Sequence, residues 1–250
     1  MKVKEFAAAM EQSVPAAFSE NWDRDGAMVI PDGEETVKKV LVALDCTSVA
    51  IEKAKQLGCN VIVTHHPLVF DPLRSLTAED PVGKRVLSCV KNGIAVFSYH
   101  TRLDSMPGGV NDCLASAIGL KNAVPFLPFA RIGDVEAQSF DSFCARVRKG
   151  LRVETLECVR SRETVRRVAI MSGSGKDGID EAVRAGADTY LTGEVKHENR
   201  ICCKEYGINL ICGSHHATER VVLPFLAEMI GGFGIETVIH DFTEAEEYGI

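Results

Sequence analysis

Residues 61–70 read Val61-Ile62-Val63-Thr64-His65-His66-Pro67-Leu68-Val69-Phe70, and the fold is read outward from them. Val61 to Thr64 are apolar or β-branched, which suits a buried strand. Pro67 has no N–H to give to a ladder, so the strand stops before it. His65 and His66 therefore fall at the carboxyl end of a strand, where open α/β sheets collect their ligands. Neighbouring strand residues point to opposite faces. The two imidazoles can meet only if the chain turns at the strand end. Otherwise each serves a different ion, or one is buried and the other exposed with no joint role.

Upstream, Lys38 to Asp45 reads as a strand, Thr47 or Ser48 caps a helix through Gln56, and Gly58 ends it. This is a βαβ unit, so a parallel pair is predicted. Downstream, Thr77 caps a helix to about Asn92, a strand covers 93–99, and Gly108-Gly109-Val110-Asn111 leads into a helix ending near Gly119. The second half begins around Pro125 to Pro128. It is predicted to hold a helix over 134–149, a strand near 152–159, then strands at 166–171, 188–192, 209–213 and 236–240 separated by helices. The N-terminal segment from Met1 reads as an amphipathic helix with no signal-peptide core. Pro31-Asp32-Gly33 marks a turn.

The bulk properties narrow the classes. A chain of 250 residues fits one large domain or two of about 125 and buries a core without staples. With 46% hydrophobic and 25% charged residues it has the composition of an ordinary globular protein. A net charge of −7 without a basic run gives no nucleic-acid footprint and no reason to bind anionic membranes. No apolar run approaches the roughly 20 residues of a membrane span. The nine cysteines are odd in number, lie mostly inside apolar patterns and form no Cys-x-x-Cys, so they read as small core residues. A cytoplasmic location is expected.

The sequence also repeats itself. Residues 37–66, VKKVLVALDCTSVAIEKAKQLGCNVIVTHH, align without a gap on 165–194, VRRVAIMSGSGKDGIDEAVRAGADTYLTGE. Gly58 meets Gly186, and His65-His66 meets Gly193-Glu194. Further on, Gly93-Ile94-Ala95-Val96 resembles Gly207-Ile208-Asn209-Leu210. Allowing one extra residue, His100 then meets His215, and four residues on in each case lies an acid, Asp104 and Glu219. All parallel βαβ units share some periodicity, but the paired His-x-x-x-acid favours duplication. The fold class predicted is α/β, with two similar duplicated lobes, 1–124 and 125–250, whose mixed sheets are flanked by helices and whose cleft receives strand ends from both. The C-terminal strand is free to pack with the first lobe.

Three strand ends then carry donors: His65 and His66; His100 and Asp104; His215, His216 and Glu219. Five of the seven histidines fall there. A spacing of four puts His215 and Glu219 on one face of a helix starting at that point. Neutral imidazole with carboxylate suits zinc, iron, manganese, cobalt or nickel, whereas calcium prefers more oxygen and structural zinc prefers cysteine. About five ligands exceed the need of one tetrahedral ion, so two divalent ions per chain are expected, about 3.5–4 Å apart and able to hold a hydroxide between them. Glu194 either joins this set or caps the following helix. His197 reads as a solvated helix-face histidine more readily than as an outer neighbour of the ligands, and His240 as structural. Trp22 reads as a core or interface anchor rather than a substrate platform. Ser172-Gly173-Ser174-Gly175 lacks the following Lys-Ser/Thr of a Walker A motif and reads as a turn before a helix.

Several stretches together resemble the Nif-three-like family of dinuclear metal proteins, whose bacterial members are also known as GTP cyclohydrolase I type 2 homologues. They are Glu20-Asn21-Trp22-Asp23, Ala43-Leu44-Asp45, His65-His66-Pro67-Leu68, His100-Thr101-x-Leu103-Asp104 with Gly108-Gly109-Val110-Asn111, Arg131-Ile132-Gly133, Thr192-Gly193-Glu194, and Gly213 to Glu219. The resemblance implies two α/β lobes with the metals between them. It places the metal ligands on His65, His66, Asp104, His215 and Glu219, makes His100 a near neighbour able to orient a ligand or shuttle a proton, and implies ring-shaped hexamers. Two departures stand out: Arg24-Asp25-Gly26 follows Asn21-Trp22-Asp23 where Asn-Val-Gly is usual, and Lys196-His197-Glu198 stands where many members carry a histidine soon after Thr-Gly-Asp/Glu. The function expected is that of a metal-dependent hydrolase of a small molecule, using a metal-bridging hydroxide, with GTP ring opening the best-named reaction. The rival is a non-enzymatic, metal-binding ring that recruits a partner.

The apolar run Phe126-Leu127-Pro128-Phe129, with the resemblance, predicts self-association, because such a patch needs burial against a neighbour. Light scattering at micromolar concentration is expected to give a homo-oligomer. A mass of 27.2 kDa, that of the single chain, would refute the ring.

Overall fold

The computed structural model describes residues 1–242. In chain order the strands are β1 (Gly26–Val29), β2 (Val40–Ala43), β3 (Val61–Thr64), β4 (Ala95–Ser98), β5 (Lys121–Leu127), β6 (Ala130–Ser139), β7 (Glu157–Val159), β8 (Thr164–Ser174), β9 (Thr189–Glu194), β10 (Asn209–Cys212) and β11 (Thr237–Ile239). The helices are α1 (Val3–Ser13), α2 (Ser48–Leu57), α3 (Pro81–Lys91), α4 (Thr101–Ser105), α5 (Val110–Ala117), α6 (Phe140–Leu151), α7 (Ile179–Arg184), α8 (His197–Tyr206), α9 (His215–Glu219) and α10 (Leu223–Gly231). They form two compact units, Met1–Met106 with the segment from Leu223, and Pro107–Val222.

The first unit is built on the sheet β1-β4-β3-β2-β11, with β1 antiparallel and the other four strands parallel. Its three central strands, β2, β3 and β4, are buried on both faces, as their unbroken apolar runs require. On one face Leu41, Ala43, Ile62 and Val96 pack with Ala50, Ile51 and Ala54 of α2 and Val86 and Cys89 of α3. On the other, Phe6 of α1 meets Phe97 edge-on, ring centroids 5.4 Å apart, and Phe233 at 6.2 Å. The second unit holds the sheet β5-β6-β8-β9-β10-β7. Val168, Ile170, Leu191 and Ile211 face α5 and α6. The alternate residues Ala169, Tyr190 and Leu210 face α7 and α8. Both units are thus mixed sheets between helices, the class expected from the sequence.

The repeat is visible element by element. β2, α2 and β3 recur as β8, α7 and β9, and the order β1-β4-β3-β2 recurs as β7-β10-β9-β8, with the same antiparallel edge. Gly58 and Gly186 both follow their helix in the left-handed region, at φ +71° and +78°, where a Cβ would be strained. One detail of the alignment changes. His100 and Ser214 are the residues preceding α4 and α9, each two residues past its strand. No extra residue separates the repeats there, so His100 corresponds to Ser214 and Asp104 to Thr218. The shared His-x-x-x-acid spacing is not a structural equivalence.

Two local expectations also differ. The helix predicted from Thr77 starts at Pro81, because Asp80 accepts from Gly83 N at 2.6 Å and proline suits the first helical position. The helix predicted over 134–149 is half strand. Residues 121–139 form a hairpin, and β6 is held between β5 and β8, so pairing overrides the helix propensity of Glu136 and Ala137. Phe126, Leu127 and Phe129 of that hairpin are half-buried, while Val124 is exposed.

A partly buried ion cluster is centred on Arg102 of α4. Arg102 donates to Asp25 at 2.8 Å, to Glu11 at 2.7 Å and to the Val14 carbonyl at 3.0 Å, and stands over the Tyr99 ring. Burial opposes the charge on the guanidinium, but its bonds to Asp25 and Glu11 outweigh that and raise its pKa. Arg102→Ala leaves the Asp25 carboxylate buried and unpaired. Such a break costs about 3–5 kcal/mol. A urea titration of the variant is expected to show that loss, and an unchanged midpoint would show the cluster to be energetically idle.

Candidate metal site

In the first unit, two parallel strand ends carry the donors. Thr64, the last residue of β3, donates through Oγ1 to the His66 carbonyl at 2.8 Å and lies 2.8 Å from Ser98 Oγ at the end of β4. His66 N donates to the Leu44 carbonyl at 2.9 Å. The chain therefore bends directly after β3, and the two rings predicted to diverge on a regular strand come to a centroid distance of 4.8 Å. His100 lies 5.2 Å from His65 and 5.8 Å from His66. Ligand atoms of these three histidines all lie within 4.8 Å of one another, a group that could hold a metal ion. Asp104 joins them from α4, its Oδ1 3.8 Å from His65 Nε2.

Each ring is held at Nδ1. His65 Nδ1 bonds the Tyr99 carbonyl at 3.2 Å, His66 Nδ1 bonds Asp45 at 3.0 Å, and His100 Nδ1 bonds Asp23 at 2.9 Å. An oxygen acceptor at Nδ1 places the proton there and gives Nε2 the lone pair, the tautomer a metal-binding imidazole needs. Asp23 does more than orient one ring. Its Oδ2 accepts from Thr101 N at 2.9 Å and from Thr101 Oγ1 at 2.6 Å, so it also caps the start of α4. Burial works against its charge, but the bonds from His100 and Thr101 prevail and hold its carboxyl well below the usual range. Burial likewise opposes a charge on His100, yet the Asp23 bond and the nearby Asp104 and Asp23 charges raise its pKa.

An aromatic rim borders the cluster. Trp22 is 54% exposed and Phe70 45% exposed. Their rings lie 6.2 and 6.5 Å from that of His100 and 6.4 Å from each other. Of the two anchor roles expected for Trp22, core or interface, its exposure removes the core one.

In the second unit, His215 and Glu219 meet as the spacing of four predicts, with Nε2 3.1 Å from Oε1. His215 Nδ1 bonds Glu194 at 3.0 Å, repeating the arrangement of the first unit. Glu194 thus contacts a proposed ligand rather than acting only as a helix cap. Ser172 to Gly175 forms the floor under this pair. Gly173 has φ +59°, and a Cβ on it would stand 2.3 Å from Glu219 Oε1. Gly173 N donates to Thr218 Oγ1 at 3.1 Å, and Thr192 Oγ1 donates to the Gly173 carbonyl at 3.2 Å. The stretch read only as a turn is what lets α9 bring its glutamate so close to the sheet. His197 is exposed on α8, as expected.

Sequence reasoning passed over Asp23 and Asp45 as partners of the histidines. The only available signal was that both sit in the stretches carrying the family resemblance. Asp23 is 77 residues from His100, and no spacing rule joins them.

The fold is that of an α/β protein whose strand ends carry histidine groups that could hold a metal ion. The chain matches the Duf34/NIF3 (NGG1p interacting factor 3) family over residues 1–245 and belongs to it. A Clostridium perfringens relative named GTP cyclohydrolase 1 type 2 homolog is 32% identical over 240 residues, 92% of this chain and 91% of its own length. The solved structure "Reduced HcgD from Methanocaldococcus jannaschii" matches with a TM-score of 0.86 at 30% identity, covering 97% of this chain and 98% of that one. A Bacillus cereus protein related to NIF3 gives a TM-score of 0.90 at 21% identity over 98% of both chains, which speaks for the fold alone. Among the described residues no helix is long and apolar enough to cross a membrane.

Asp23→Asn is expected to lower the pKa of His100, since the charged acceptor that favours imidazolium is replaced by a neutral one. An NMR titration of the His100 ring resonances measures this. A pKa that stays put or rises would show that Asp23 does not control His100.

Proposed function

We propose that the chain is a metal-dependent hydrolase, with His65, His66, Asp104, His215 and Glu219 as ligands of two divalent metal ions. The observation that carries the reading is the shared hydrogen bond at Nδ1 of each proposed histidine ligand. A carboxylate or carbonyl at that position fixes the tautomer, aims Nε2 and raises its basicity. The donor set, imidazole with carboxylate and no thiolate, fits zinc, iron, manganese, cobalt or nickel. When bound, such ions supply Lewis acidity and lower the pKa of water to make a nucleophile near neutral pH.

The rest is done by the chain's own residues. His100, with Nδ1 bonded to Asp23 and its pKa raised, holds a proton that it can deliver to a leaving group or take from water. Asp23 positions it. Asp45 and Glu194 position His66 and His215. Trp22 and Phe70 offer ring faces and edges beside His100 to an apolar or planar part of a small substrate. The relatives' cyclohydrolase name makes a purine nucleotide the first substrate to try.

Elemental analysis after reconstitution is expected to approach two metal ions per chain, and a firm value of one at saturation would overturn the dinuclear reading. Asp45→Ala and Glu194→Ala are expected to weaken metal binding about 10–100-fold by freeing their histidines. Apparent affinity should fall from about pH 7 to 5, because protons compete for imidazoles of reference pKa about 6.5 while the carboxylates stay ionised until about pH 4. An affinity flat over that range would remove the histidines from the ligand set. Turnover of a nucleotide, phosphoester or amide by the loaded protein should vanish in Glu219→Ala. Metal binding with no turnover across that panel would favour the non-enzymatic role.

A further inference from the structure

We propose that Cys144 and Cys158 are a peroxide-responsive thiol pair that closes to a disulfide, stapling α6 to the edge strand β7. The two Sγ atoms lie 3.9 Å apart. A disulfide needs about 2.05 Å, so the two sulfurs have to move together as the bond forms. The two residues differ in access. Cys144 is buried on the face of α6 that packs with Phe143, Val147 and Ile211, so it is held in place by the core. Cys158 is exposed, and among the described residues β7 has a partner strand, β10, on one side only. A peroxide in solvent therefore reaches Cys158 first.

The bond between the two thiols points the same way. The thiol bond from Cys144 is the largest influence lowering the pKa of Cys158. Burial opposes it, Arg148 and Arg160 reinforce it, and Asp141 works against it. Cys144 is shifted upward, first by its bond to Cys158 and then by burial. Cys158 is thus the thiolate that attacks, and Cys144 the thiol that resolves.

The chemistry balances with hydrogen peroxide as oxidant. The Cys158 thiolate attacks one peroxide oxygen, breaking the O–O bond, and becomes a sulfenic acid while hydroxide leaves and takes up a proton to form water. The Cys144 sulfur then displaces the sulfenic oxygen as a second water, its own proton leaving with it. Two thiols lose two electrons in total, and one peroxide becomes two waters. The buried pair Cys46 and Cys89 is a control within the same chain: its thiols are bonded to each other, but both are shielded.

The test uses the reduced full-length protein, treated with one equivalent of hydrogen peroxide, alkylated and mapped by mass spectrometry. The expected product is a peptide pair joined through Cys144 and Cys158, two hydrogens lighter than the reduced pair and restored by dithiothreitol, with Cys46 and Cys89 still alkylated. Cys158→Ser should abolish the cross-link. Cys144→Ser should instead leave a sulfenic acid on Cys158 that dimedone traps. The oxidised wild type should melt several degrees higher than the reduced form, since the staple restricts the unfolded chain. Alkylation of both residues after oxidation would overturn the proposal. So would oxidation confined to the exposed Cys202, or a cross-link of Cys158 to a second chain.

Discussion

The hydrogen bond at histidine Nδ1 is the constraint on which the donor arrangement depends. Unaided, an imidazole rotates about two torsions and exchanges its proton between two nitrogens, so a histidine at a strand end offers an undefined ligand. In both units that freedom is removed in the same way. Asp45, Asp23 and Glu194 accept from His66, His100 and His215, and the Tyr99 carbonyl accepts from His65. The acceptors Asp23, Asp45 and Tyr99 come from loops that precede or follow strands, and Glu194 is the last residue of β9. The donors are then as rigid as the sheets, and the tautomer is set by ordinary hydrogen bonding before any ion binds.

Duplication explains the scaffold but not the donors. The two units share the order and direction of four strands and the left-handed glycine that ends the connecting helix. Their chemistry has diverged on that frame. The first carries His65-His66 where the second carries Gly193-Glu194, so a histidine pair in one unit corresponds to a glycine and a ring-holding carboxylate in the other. The glycine is required there: a Cβ on Gly193 would lie 2.5 Å from the Gly173 carbonyl and 2.8 Å from His215 Cα. Asp104 and Glu219 likewise occupy different positions of their short helices, although each lies four residues after a histidine. Two similar spacings arose at non-equivalent places on one repeated scaffold.

Local signals made the βαβ repeats legible, because apolar strand runs, the Thr47 cap and the glycine after each helix act within a few residues. The donor histidines were legible because they cluster at strand ends. What escaped depends on residues far apart in sequence. The β5–β6 hairpin contains the helix formers Glu136 and Ala137, and only its place beside β8 makes it extended. Asp25, Glu11 and Arg102 look like unrelated surface charges until the fold pairs them, burying Arg102 and Asp25 and leaving Glu11 at the edge. Trp22 was read as a core or interface anchor because a large aromatic ring carries much apolar surface. Its exposure beside His100 follows from the Asp23 bonds, which fix the loop one residue away.

Those distant bonds matter because two proposed ligands, Asp104 and Glu219, sit on helices of five residues each. Helices that short are not stable by themselves in water. α4 exists because Asp23 caps Thr101 and because Arg102 is locked to Asp25, Glu11 and the Val14 carbonyl. α9 exists because Ser214 Oγ accepts from Ala217 N and because Thr218 Oγ1, which donates back to helix carbonyls, also takes the Gly173 N–H. Donor placement is therefore a tertiary property. A substitution at Arg102 removes no proposed ligand, yet it releases the turn that aims Asp104, and one at Gly173 drives its Cβ into the Glu219 carboxylate. The interior of each unit and its donor geometry are in this sense one structure, and loss of either anchor is a loss of both.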